Sequence, residues 1–232
     1  MAKKACSFYW LRRWGLAVAL MLTTVSSWAE SGALADRVVA RFSAPEIGGG
    51  ASPRFIFERE LSFLSRLEAY GDTDFNPSAV EPYREEHVRA AMERHIAETV
   101  LESLPVSPPP TPKEIRARAT AAQVGLAQRV GGAAAIQAAA RAEGFQATEV
   151  FRVLQRRARA SIYLDRMVAP MLKPSEAELR AIHRSSKTPF YRLAYEKVRE
   201  PLRHWVVSRR LNDALGTYYE AARGRIRLTV IK

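Results

Sequence analysis

The chain has 232 residues, 26% charged and 47% hydrophobic, with 36 Lys and Arg against 24 Asp and Glu. That length provides one or two domains with a sizeable core, and 9% aromatics exclude a disordered chain. A formal charge of +12 directs attention to acidic polypeptides, anionic lipid surfaces or nucleic acid as partners.

Residues 1–29 read as a secretory signal peptide. Lys3, Lys4, Arg12 and Arg13 form a basic start, residues 15–25 a short apolar centre, and Ser27-Trp28-Ala29 a small-residue cleavage site near Ala29. A transmembrane anchor is the competing reading, but the apolar run is too short for roughly 30 Å of hydrocarbon. Arg12-Arg13 leaves the twin-arginine route open beside the general one. Cys6, the only cysteine, precedes the apolar centre, so a lipoprotein anchor is not expected. The exported chain, residues 30–232, then has no thiol and rests on its packed core. It keeps 32 Lys and Arg against 24 acids, a net +8. The expected location is periplasmic or otherwise exported, with no stable membrane anchor after cleavage. In that setting nucleic acid is not an expected partner.

In chain order, residues 37–42 (RVVARF) read as a lone strand, followed by loop chemistry at Gly48-Gly49-Gly50 and Ser52-Pro53. Phe57, Leu61, Leu64 and Leu67 predict a helix to Tyr70. A loop over 72–82 leads to the clearest helix, 85–104. There Val88, Met92, Ile96 and Val100 fall four apart beside Leu101 and Leu104, with Arg89, Glu93, Arg94, Glu98 and Glu102 assigned to a wet face. Five prolines over 104–112 predict an extended spacer, or a ligand for a partner's groove. Thr111-Pro112-Lys113-Glu114 is a helix start, and Ile115, Ala119, Ala122, Leu126 and Val130 mark its buried stripe.

Gly131-Gly132 breaks that helix. An alanine-rich helix follows to Glu143, with Gly144 as its C-cap. Thr148 is expected to cap a longer helix that Pro170 ends, with Arg152, Arg156, Arg157 and Arg159 on its wet side. Ser175 and Glu178 form a capping box. Residues 185–189 are a turn, 191–223 a final helix that Pro201 is expected to kink, and 226–231 a terminal strand. Two lone strands need partners. The economical solution is a small two-stranded sheet pairing 37–42 with 226–231, within one chain or across a swapped homodimer.

Chemistry is scarce along this frame. His87 and His95 are eight apart, too far to share a metal ion, and HExxH, nucleophile-elbow, P-loop and dinucleotide-binding patterns are absent from the sequence. Carboxylates such as Glu85-Glu86 sit on wet faces, so no catalytic dyad, cofactor or metal is expected. Aromatics in excess of the stripes, among them Phe63, Phe145, Phe190, Tyr191, Tyr195 and Tyr219, belong to a core or line a groove.

The order of elements resembles the SurA/PrsA type of extracytoplasmic folding factor. RVVARF (37–42) resembles its first strand, RAAMERHIAETVLES (89–103) its first long helix and TPKEIRAR (111–118) the next helix start. Residues 131–168 are similar to its short helix leading into a longer arginine-rich one, KPSEAELRAIHRS (173–185) to its P-S-E-x-E-L helix, and 198–231 to its returning helix and strand. The family's parvulin isomerase domain has no room between 184 and 195. The resemblance implies a mainly α, SurA/trigger-factor-like peptide-binding domain without the isomerase. Its implied function is an ATP-independent holdase for unfolded exported or outer-membrane proteins; the candidate client contacts in this chain are Phe145, Phe151, Tyr163, Met167, Phe190 and Tyr191. A helical adaptor with one dedicated protein partner, or a residual prolyl isomerase, are the alternatives.

Overall fold

The computed structural model describes residues 36–185 and 187–231, the side chains of 218–223 apart. The expected signal peptide with Cys6, Ser186 of the predicted turn and the side chain of Tyr219 lie outside the described residues. The chain begins with β1 (Val38–Ser43), then reverses through two 3-10 turns, Pro45–Ile47 and Gly49–Ala51. Gly48 sits between those turns at φ +97°, a left-handed conformation that glycine accepts without the Cβ penalty. The reversal delivers β2 (Arg54–Phe57) antiparallel to β1.

Seven helices follow among the described residues: α1 (Glu58–Gly71), α2 (Glu85–Ser103), α3 (Pro112–Arg129), α4 (Ala133–Ala142), α5 (Ala147–Tyr163), α6 (Glu176–Arg184) and α7 (Tyr195–Arg223). The terminal strand β3 (Arg227–Val230) returns to β1, pairing Ala40 with Val230 and Phe42 with Leu228. The terminal pairing therefore forms within one chain. The sheet has three strands in the order β2-β1-β3, where two were expected. The sequence pattern assigns no strand to Arg54–Phe57 (RFIF) and starts the helix at Phe57. Beside β1 those residues gain ladder partners, and Ile56 is fully buried against Ala40 and Phe42.

Three boundaries differ from the sequence pattern for local reasons. Gln146, not Thr148, is the N-cap of α5, where the Glu149 carboxylate accepts from Gln146 N at 2.7 Å. Beyond Tyr163 the chain widens into a π turn (Leu164–Val168) and tightens into a 3-10 turn (Ala169–Leu172) around Pro170. α7 starts at Tyr195, four residues after the expected start, and runs through Pro201. The cap of α3 is as expected: Thr111 accepts from Glu114 N at 3.2 Å.

Among the described residues two hydrophobic clusters hold 36–231, which pack as one unit. The large one joins the sheet (Ala40, Phe42, Ile56) to α1 through α5, with Phe63, Leu67, Leu154 and Ile162 almost wholly buried. The small one is Leu179, Leu202 and Val206 between α6 and α7. The stripe read for α3 is realised at Ile115, Ala119, Leu126 and Val130. The α2 pattern is not one-sided: α1 packs against one side and α5 against another, burying His87, His95 and Glu98 as well as Val100 and Leu101. The wet faces assigned to α2 and α5 are thus partly internal.

Gly144 ends α4 at φ +62°, where Phe145 N donates to Ala140 O at 2.7 Å and closes the helix. Its own carbonyl accepts from Arg59 Nη2. Gly144→Ala is expected to cost about 1–2 kcal/mol, because alanine pays the left-handed penalty there. Urea unfolding monitored by circular dichroism measures the loss.

Candidate functional site

The sandwiching of α2 leaves part of its surface facing α7 and β3. There the structure opens a groove of about 890 Å³. Ile96, Val100 and Leu101 of α2, Leu164 after α5, Leu215 of α7 and Leu228 of β3 line it. Its charged members are largely neutralised by close partners. Arg157 Nε bonds Glu98 Oε1 at 2.8 Å, Arg94 Nε lies 3.1 Å from Glu68 Oε1, and Arg225 Nη2 lies 3.4 Å from Glu46 Oε1. A Cβ placed on Gly216, at the α7 wall, meets no atom within 4 Å. Space beside the helix therefore remains for another chain's side chains. A surface lined mainly by apolar side chains, with Ser161 and Asn212 as its uncharged polar members, can bury apolar chains of many sequences.

A second cleft, of about 580 Å³, lies between α1, the end of α2 and α5, and is polar. Its wall holds a knot of buried charges. Arg156 Nη1 lies 2.7 Å from Glu60 Oε1, and His95 Nδ1 is 3.1 Å from the same oxygen. Burial pushes the Glu60 carboxyl up, but His95 and Arg156 outweigh it and hold it at about 2. Glu102 lacks comparable support, and burial raises it despite nearby arginines. This is a folded structure's ion-pair network, with each carboxylate facing cations.

The six residues singled out for client contact are not brought together. Phe145 is buried, stacked on Phe63 at 4.9 Å between centroids, and touches the polar cleft rather than the groove. Phe190 packs half-buried against the α6–α7 cluster. Tyr163 and Met167 are half-buried at and beyond the end of α5, while Phe151 and Tyr191 are exposed. Arg192 lies over the Tyr191 ring at 5.1 Å. None of the six lines the apolar groove. Aliphatic side chains build it, and within each helix these are indistinguishable from core.

Asp72, Glu86 and His87 bring potential metal-ligand atoms within 4.8 Å of one another. His87 Nδ1 accepts from Arg84 N at 2.9 Å, and its Nε2 faces Asp72 Oδ2 at 3.1 Å. A metal on Nε2 requires the proton on Nδ1, facing the Arg84 N–H. Both nitrogens are therefore committed to closing the loop before α2.

The proline segment is pinned to the body. Arg166 Nη1 donates to Pro108 O at 2.6 Å, its Nη2 bonds Glu114 at 2.5 Å, and Val106 packs on the large core. Among the described residues no helix is long and apolar enough to cross a membrane. No protein-family model, curated protein or solved structure matches the chain.

Proposed function

We propose that the chain is an ATP-independent holdase, SurA-like in its helical domain and without an isomerase, that shelters apolar stretches of unfolded exported polypeptides. The observation that carries this is the open apolar groove between α2, α7 and β3, about 890 Å³ in volume. Binding there is driven by apolar area removed from water, at roughly 25 cal/mol per Å². It is promiscuous because apolar contact, which reads no particular sequence, supplies most of it. The excess of basic residues raises the encounter rate with acidic clients. The work is contact rather than catalysis, and the leader at residues 1–29 takes it to the periplasm or beyond.

The experiment is the aggregation of a urea-unfolded outer-membrane protein on dilution, followed by light scattering. The purified chain is expected to suppress scattering at about equimolar ratio without nucleotide. Undiminished aggregation at stoichiometric amounts overturns the holdase. The adaptor alternative draws less support from the proline segment, since Arg166 and Val106 tie it down. A single stoichiometric partner in a pull-down, with no holdase activity, would favour the adaptor instead.

A further inference from the structure

The groove has a second chemistry at its β3 side. Ile231 N donates to Val39 O at 2.9 Å, and the register pairs Thr229 with Arg41 and Arg227 with Ser43. In an antiparallel ladder main-chain groups point alternately to either side. Residues 227, 229 and 231 therefore face β1, and Leu228 and Val230 turn their N–H and C=O groups outward, along the edge of the sheet. The side chains of the same two residues lie opposite Phe42 and Ala40, which are buried, yet Leu228 is 43% and Val230 60% exposed. Leu228 already lines the groove. An outward backbone ladder and apolar side chains at every second position share this edge.

We propose that an extended client segment, alternating apolar with acidic residues, adds to the sheet as a fourth strand beside β3. Its main chain bonds Leu228 and Val230, and its apolar side chains enter the groove. Strand addition of this kind takes affinity from the backbone and selects only the side-chain period. The acidic preference follows from the other face of the edge, where Arg227 and the neighbouring Arg41 are exposed. A second copy is the poorer occupant because it brings two arginine-bearing edges together. This inference rests on the holdase reading for its class of partner, an unfolded polypeptide, and adds how that partner is held.

The test uses a fluorescent ten-residue peptide alternating Val with Glu or Thr. Its control has the same composition with all valines at one end. Both are titrated into the purified chain by anisotropy. Val230→Pro removes one outward N–H and leaves the β1 side of the ladder intact, since proline is accepted where an edge N–H faces solvent. Val230→Ala keeps that N–H. The alternating peptide is expected to bind, the control to bind at least about fivefold more weakly, and V230P to lose about tenfold relative to V230A. Equal binding of the two peptides, or equal affinity of V230P and V230A, overturns strand addition. So does a concentration-dependent dimer that V230P abolishes, which would assign the edge to self-pairing.

Hydrogen exchange on the unsubstituted chain covers the case of a misfolded variant. On peptide addition the amides of Leu228 and Val230 are expected to slow while Thr229 is unchanged; no slowing overturns the proposal. Suppression of aggregation by the unsubstituted chain and V230P alike would retire strand addition and leave the holdase standing. Failure of the unsubstituted chain to suppress aggregation would retire both.

Discussion

Glu60→Gln is expected to lower stability by about 3 kcal/mol at pH 7 and by progressively less as the solution is acidified. Glu60 is held at about 2 against an ordinary 4.5. Burial works against its charge, but His95 at 3.1 Å and Arg156 at 2.7 Å outweigh burial. A carboxylate whose folded pKa lies below its unfolded one contributes stability that is complete above the unfolded pKa. It is lost as pH falls toward the folded pKa. The window here is therefore pH 4.5 down to about 2, and a shift of that size corresponds to about 3 kcal/mol. Glutamine resembles the protonated acid, so the gap between wild type and E60Q should narrow by more than half by about pH 3. Urea titrations at pH 7, 5, 4 and 3 measure it. A gap that stays constant over this range would mean that Glu60 holds α1 to α2 and α5 through shape and not through charge.

That knot shows where the sequence was legible and where it was not. Apolar spacing located α2 and α3, because 3.6-residue periodicity follows from burial of one side, whatever the neighbour is. The same logic misassigned Glu98, Arg156 and Arg157 to solvent. Whether a charged face is wet depends on a third element, and α5 covers that part of α2 only after the chain has turned back on itself. β2 was hidden for a related reason. Phe55, Ile56 and Phe57 run into α1 with no turn residue between them, and only the partner strand β1 decides between strand and helix for such a short run. Pro53 before it and the glycines at 48–50 were the available turn signal. The groove is the least legible feature. Aromatics were the natural candidates for exposed contact, but Phe145 is satisfied by Phe63 and Phe190 by the α6–α7 cluster. What opens the groove is the path of α7, a long helix set by the turn after α6 and by the return of β3 to β1. Neither has a local sequence signal.

Leu202→Ala should loosen α6 from α7 while the large core stays folded. Leu202 is fully buried, and its cluster has two other buried members, Leu179 and Val206, with Ile182, Phe190, Tyr195 and Trp205 around them. Truncating a buried leucine costs about 2–5 kcal/mol, the transfer loss plus the cavity left behind. In the large core such a loss is shared by many neighbours. Here it is a major part of what holds α6 on α7. The ion pairs from Glu176 to Arg199 and Arg203 are exposed or only partly buried, and too weak to replace it. Hydrogen exchange in L202A is expected to lose protection over 176–210 while α1, α2 and α5 keep theirs, because a subglobal opening exposes the small cluster alone. Client binding should fall with it, since Leu215 and Gly216 on α7 form one wall of the groove. The opposite outcome is equally definite. If protection falls evenly from α1 to α7, the β1–β3 pairing couples the small cluster to the large one. The chain then unfolds as one cooperative unit, closed by its own terminal strand, and α7 is a fixed wall of the groove.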